Sequence, residues 1–451
     1  MDSTASKRMS IKKADILERL NPADSFTLAM DEEIRKDGLA GNYACFALVL
    51  SNIPDIAALQ QRITEFSQRF PVTQASLQQI GKRFYWCKRI DPPQLFFQHH
   101  CPEGRNEADF QQHTIDSIIN QKQARETAAP IEFHLLIGPT QHTFFTRWMH
   151  PFGDARGADL ILKYLCTADK AQRRQFGLPE TEPLVNVQLS KYHWWQKIGL
   201  LLKGKRYIDQ LDRLESIQPF NSDLPPQRLS YTIQRLSETQ TEQAIKQARQ
   251  LVGLTGTSLY YIGCLMRALE KMQPDNVGAA YCAPYAFNLR KQRALTPMTG
   301  NHLCALFAQA PRDVVQDRQK LFAHLKEQNA QVIRQKIDYA FLPLMWAGSW
   351  LSLTEYGKTL RLSYGSGKER SSFWFSDIGR LDILADSFPG AEIKGVFHVC
   401  QVTTPPALAF LCCIYRNQLT LSYNFIEPAS NPEQIEKLHQ LVLAELLGEV
   451  E

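Results

Sequence analysis

In the stretch "HTFFTRWMHPFGDARGADLILKYL", residues 142–165, an apolar strand-like run ends at His150 and an apolar helix-like run begins at Ala155. His150 and Asp154 stand four residues apart in the turn between the two runs. An imidazole, with a reference pKa near 6.5, can take a proton from an alcohol or an amine at neutral pH. The Pro151-Phe152-Gly153 that follows would hold it in a rigid turn. A carboxylate at 154 could orient the ring, as in a triad, or pair with an arginine and pin the loop. It could equally do no more than cap the next helix, with the histidine ring bonded to backbone. Histidine and aspartate at this spacing often occur by chance, so the spacing leaves both readings open.

The elements that must position this turn are legible on either side. "GNYACFALVLSN" has the aromatic and β-branched content of a buried strand. Ile56, Leu59, Ile63 and Phe66 recur at helical spacing behind an Asp55 N-cap, and Pro71 closes that helix. "QASLQQIGKRFYWCKRI" reads as two strands around a glycine turn, "DFQQHTIDSIINQKQ" as a helix, and "IEFHLLIGPTQHTFFTRWMH" as a hairpin turning at Gly138-Pro139. From Asp169 to Pro226 the rhythm breaks, and "NSDLPPQRL" resembles an interdomain linker. Strands and helices then resume: "RLSYTIQRLS", a helix capped by Thr241 and closed by Gly253, "TSLYYIGCLMRALEKM", and a strand ending at Arg290. A long surface helix over 311–336 and three late strands follow: "SSFWFSDIG", "EIKGVFHVCQV" and "ALAFLCCIYRNQLTLSYNF". A closing helix begins near Pro432. Strand–helix alternation in both halves predicts an α/β (α+β) architecture built twice, over residues 1–185 and 229–451, with 186–228 as the seam. A segment near 345–385 is expected to cross to the first half.

Composition narrows the function classes. A chain of 451 residues predicts two domains of roughly 200 residues. Hydrophobic content of 44% and charged content of 22% are those of an ordinary globular protein. No apolar run approaches the ~20 residues of a membrane-spanning helix. The polar start lacks a signal core, which predicts a cytoplasmic, bacterial protein. The ten cysteines are scattered without a CxxC pair, so free buried thiols are expected rather than disulfides or a zinc site. A net charge of +5 suits an anionic substrate such as a CoA phosphate, or an acidic carrier protein. Lys and Arg are too dispersed for nucleic-acid binding.

Several other stretches invite chemistry. "GLLLKGKR", 199–206, contains GxxxxGK but has Arg206 where a phosphate loop needs Ser or Thr, and no strand precedes it. The surrounding residues 192–206 mix Trp and Leu with Lys and Arg, which fits either a membrane surface or a helix packed over the seam. Gly365-Ser366-Gly367 lacks the spacing of a hydrolase elbow and reads as a turn. His99 and His100 lack an aspartate four residues on and read as surface residues.

Five segments in order resemble the chloramphenicol-acetyltransferase-like superfamily of condensation domains and HxxxD acyltransferases. They are "ALVLSNIPDIAALQQRITEFSQRFPVTQASL", "RWMHPFGDARGADLIL", "YAFNLRKQRALTPMTGNHL", "FSDIGRLD" and "LTLSYNFIEPASNPEQIEKL". The resemblance implies two related subdomains in a V with a central tunnel, with a thioester donor entering from one face and the acceptor from the other. It makes His150 the general base and has Asp154 brace the loop against Arg290. Gly153, Asn301 and Ser376 would line the tunnel. The implied activity is acyl transfer from an acyl-CoA or an acyl carrier protein's phosphopantetheine thioester to an alcohol or amine, in secondary metabolism or lipid biosynthesis. It needs no metal and no permanently bound cofactor. The alternative is a catalytically silent condensation-like scaffold that binds a carrier protein. The sequence departs from the pattern at Met149, where the family's first histidine stands, at Ala155 instead of glycine, and at Asp377 instead of asparagine. The DFGWG motif of the plant enzymes is absent.

Overall fold

A computed structural model describes residues 15–177, 182–220, 224–254, 256–290, 296–337, 339–361, 370–381 and 388–449. The turn at 365–367, the Asn221–Asp223 part of the linker, residues 291–295 and Asp382 lie outside the described residues. The chain runs β1 (Ile16–Arg19), α1 (Pro22–Lys36), β2 (Tyr43–Leu50), α2 (Ile56–Arg69), β3 (Ser76–Ile80), β4 (Arg83–Cys87), β5 (Phe96–His100) and α3 (Glu107–Asn120). It continues through β6 (Ile131–Ile137), β7 (His142–Met149), α4 (Ala155–Cys166), α5 (Lys170–Arg173), α6 (Leu184–Ser190) and α7 (Trp194–Leu211). The second half holds β8 (Arg228–Arg235), α8 (Glu238–Val252), α9 (Thr257–Met272), β9 (Ala280–Asn288), β10 (Leu303–Pro311), α10 (Arg312–Gln316), α11 (Arg318–Arg334), α12 (Phe341–Gly348) and α13 (Leu353–Arg361). It closes with β11 (Trp374–Arg380), β12 (Ile393–Cys400), β13 (Leu408–Tyr415), β14 (Gln418–Glu427) and α14 (Pro432–Leu447).

The expected mixed α/β architecture is present. A five-stranded sheet in the order β12-β2-β7-β6-β5 carries the chain to His150, and a four-stranded sheet, β11-β13-β14-β8, organises the second half. Every residue of β7 is buried. The reason is that both faces of its sheet are covered, and its buried Arg147 is paired inside, with Glu132 Oε2 (3.3 Å) and Gln121 O (2.8 Å). Cys45, Ala47 and Phe145 face one core, shared with α9, β13 and β14. Phe46, Leu48 and Phe144 face the other, filled by α2 and α4. The edge strand β12 comes from the second half of the chain and pairs antiparallel with β2, Phe397 opposite Ala47.

Several local readings are corrected. The single late strand "ALAFLCCIYRNQLTLSYNF" is the hairpin β13–β14, because Arg416 and Asn417 both take positive φ (47° and 61°), as a tight two-residue turn requires. The long surface helix breaks at Asp317, whose side chain caps α11. α8 is capped by Ser237, not Thr241, through a reciprocal box with Gln240. His99 is half-buried on β5, its Nε2 3.1 Å from Nδ1 of His134. The GxxxxGK stretch lies inside α7 and forms no loop. All ten cysteines are free, most of them buried.

Candidate functional site

β7 ends at Met149, and His150–Phe152 make one tight turn before Asp154 opens α4. The turn is held by main-chain bonds. His150 N donates to Asn42 O (2.9 Å), and Gly153 N donates to His150 O (3.2 Å). From the second half, Gly300 N donates to Phe152 O (2.6 Å), which bridges Gly153 to Gly300. Trp148 Nε1 donates to Gly153 O (2.9 Å).

Asp154 performs two of the tasks its spacing allowed. As N-cap its Oδ1 accepts from Gly157 N (2.8 Å). Both oxygens also accept from Arg290 Nη1, at 2.8 and 2.7 Å, and Oδ2 accepts from His302 N (2.8 Å). Burial alone would raise this carboxyl, but Arg290, His302 and these hydrogen bonds bring it down to about 2. Arg290 has only 5% of its side chain exposed, and it donates from Nε to Pro297 O (3.0 Å). The arginine therefore ties α4 to the loop before β10. His302 completes the clasp as a neutral ring: Nε2 lies 2.9 Å from Thr299 O, and Nδ1 accepts from Leu184 N (3.1 Å). Burial and the Arg290 charge push it down to about 4.

Asn301 supports His150 from the other side. Its Nδ2 donates to His150 O (2.8 Å) and to Asp24 Oδ1 (2.9 Å), and its backbone N donates to the same Asp24 oxygen (2.7 Å). Asp24 sits at the third position of α1, where it also closes a capping box with Asn21. Burial pushes its carboxyl up to about 8, against the pull of these donors. The His150 ring is half-buried. Its Nδ1 is enclosed and without a hydrogen-bond partner, as is Asn301 Oδ1. The ring's open nitrogen is thus Nε2. Burial lowers the His150 pKa below 6.5, and its own carbonyl, Asp154 and Asn301 partly restore it. The shift favours the neutral form of the ring that a general base needs.

The structure thus gathers His150, Gly153, Asp154, Arg290 and Asn301. Ser376 stands on β11 beside Asp377, which accepts from Ser258 Oγ (2.8 Å) and Gly379 N (2.7 Å); Ser376 enters none of the bonds around His150. Sequence reasoning missed Asp24, His302 and Gly157. The Asn21-Pro22-Ala23-Asp24 capping signature would have announced the helix that carries the first. Nothing local marks His302. Gly157 is required because a Cβ there would overlap the Met298 carbonyl oxygen, whereas a Cβ at Gly153 would lie 3.7 Å from that atom. Gly157→Ala is therefore expected to cost about 1–3 kcal/mol in thermal unfolding, while Gly153→Ala is expected to be close to neutral.

An apolar cavity of about 70 Å³ is lined by Phe26 and Met30 of α1, Ala305 and Phe307 of β10, and Trp374, and by none of the residues around His150. Among the described residues, no group of three or more His, Cys, Asp or Glu is placed to hold a metal ion, and no helix is long and apolar enough to cross a membrane.

No family model matches the sequence, and no curated protein matches it. Solved structures do match its fold. The trichothecene 15-O-acetyltransferase TRI3 from Fusarium sporotrichioides has a TM-score of 0.71 at 11% identity, over 94% of this chain and 93% of that one. The first condensation domain of the calcium-dependent antibiotic synthetase, in complex with a substrate analogue, also scores 0.71 at 11% identity, over 96% of each chain. A double mutant of the starter condensation domain of rhizomide synthetase, in complex with C8-CoA, scores 0.67 at 11% identity, over 96% of this chain and 94% of that one.

Proposed function

We propose, from the chloramphenicol-acetyltransferase-like fold that this chain shares with condensation domains and an acetyltransferase, that it is an acyltransferase with His150 as general base. The observation that carries the reading is the half-buried imidazole with Nδ1 enclosed, which leaves Nε2 for chemistry, on a turn braced from both halves of the chain. Nε2 takes the proton of an alcohol or amine as that group attacks a thioester carbonyl. A tetrahedral intermediate forms, the C–S bond breaks, and the proton passes from the imidazolium to the departing thiolate. Asp154 acts on the loop rather than on the ring, because both its oxygens are engaged by Arg290, His302 and Gly157. The donor is an acyl-CoA or a carrier-protein thioester. A matching condensation domain with C8-CoA bound and the mildly basic charge of this chain support that class.

The test is thiol release from a panel of acyl-CoAs and acyl-pantetheine thioesters with simple alcohols and amines. The pH profile adds a signature. Because burial lowers the folded pKa of His150, kcat/KM should fall on the acidic side as the base becomes protonated, with the midpoint of that limb below 6.5. An acidic limb above pH 7 would contradict the assignment. Silence across the whole panel together with tight carrier-protein binding would favour a scaffold that keeps the fold without the reaction.

A further inference from the structure

We propose that the outer face of α7 and the end of α12 rest on the surface of an anionic phospholipid bilayer. α7 has two apolar faces. Gly204, Tyr207 and Leu211 are buried against the body, and Gly204 is so close to α12 that a Cβ there would lie 2.6 Å from Leu344 Cδ1. On the opposite side Trp194 is 70% exposed, Trp195 55%, Ile198 48% and Leu202 48%. At 3.6 residues per turn these four fall within an arc of about 100°, facing away from the buried three. The neighbouring helix extends the patch through Trp346, Trp350 and Leu351, each 36% exposed or more, and Lys197 Nζ lies 5.8 Å from the Trp346 ring centre. Much of the large apolar surface that the described residues leave in solvent is gathered here.

Charge identifies the partner. α7 and the turn before it carry Lys191, Lys197, Lys203, Lys205 and Arg206 against a single acidic residue, Asp209, which pairs with Lys205 (2.7 Å) and leaves a net positive face. A helix lying in the headgroup plane buries an apolar stripe between the acyl chains, keeps Trp at the interface and offers Lys and Arg to lipid phosphates. These side chains stand out from a helix rather than lining a groove, and cations flank the stripe on both sides. A planar anionic surface meets all of these features at once. The contact is in-plane, since no described helix can span the bilayer. It is independent of the acyl-transfer reading, because no residue of the patch belongs to the His150 network.

The experiment is co-sedimentation of the full chain with sucrose-loaded vesicles of phosphatidylglycerol and phosphatidylcholine, against vesicles of phosphatidylcholine alone. The protein should pellet with the anionic vesicles and be released as salt rises. Trp194→Ala with Trp195→Ala, and separately Lys191→Glu with Lys197→Glu, should each weaken binding by roughly tenfold or more. Trp194, Trp195 and Lys191 are exposed and Lys197 is half-buried at the patch, none of them near His150, so thiol release from soluble substrates should stay as in the parent, with the melting temperature measured beside it. Absence of pelleting, or undiminished binding by both variants, would overturn the proposal. So would a dimer that the tryptophan pair converts to monomer, because the stripe would then be covered by a second copy of the chain.

Discussion

Replacing His150 by alanine is expected to lower acyl transfer by roughly 10²–10⁴-fold, the typical contribution of a positioned general base, while leaving the melting temperature nearly unchanged. The separation of the two effects follows from how the residue is held. Its amide bonds Asn42 O, and its carbonyl accepts from Gly153 N and from Asn301 Nδ2. All three bonds are made by main-chain atoms that alanine keeps. The ring itself makes no hydrogen bond through Nδ1, so its removal orphans no partner there. A circular dichroism melt beside the thiol-release assay checks both halves of the expectation. Turnover close to the parent's would remove His150 from the reaction.

Asp154→Asn is expected to behave in the opposite way, losing stability together with activity. The substitution keeps the shape but removes the charge that Arg290 faces, and the guanidinium is 5% exposed. It also puts an NH2 where Asp154 now only accepts, opposite either the Gly157 or the His302 amide. Breaking one side of a buried ion pair costs about 3–5 kcal/mol, so the melting temperature should fall by several degrees. Removing both charges, with Arg290→Leu added, should cost less than Asp154→Asn alone, since no uncompensated cation would remain. The carboxyl's depressed value gives the pH sign. The pair's contribution is complete above the unfolded Asp value of 3.8 and is lost as pH falls through about 2. Melts of the parent and the double variant should therefore differ above that window and converge as pH falls through it, because the parent loses the pair's contribution there. An unchanged melting temperature in Asp154→Asn would leave the clasp without energetic weight.

These contrasts also explain what could be read in the sequence. β2, α2, the β3–β4 hairpin, α3, β6–β7 and α4 were legible because each carries its own periodicity and its own turn or cap. The HxxxD turn was legible as a place, but its spacing could not decide between helix cap and site. The fold makes Asp154 both a cap and a clasp. Arg290 is 136 residues away, and only a resemblance spanning both halves connected it to Asp154. β1 has four residues and is half-buried, so it shows no alternation to find. β5, "FFQHH", ends in two histidines that obscure a strand. α1 was missed although Asn21, Pro22 and Asp24 spell out its start, and the omission took Asp24 and the support of Asn301 with it. That β12 pairs with β2 is invisible from either segment, since each is simply a good strand.

That last pairing bears on how the protein is made. β2 is complete once residue 50 has left the ribosome, but the partner along its outer edge, Ile393–Cys400, is synthesised some 340 residues later. Until then the first sheet stands with an open row of amide and carbonyl groups on an apolar strand, a template for the wrong neighbour. The site's first half therefore waits, unsealed, while most of the chain is made, and a single strand from near its end, Ile393–Cys400, closes it.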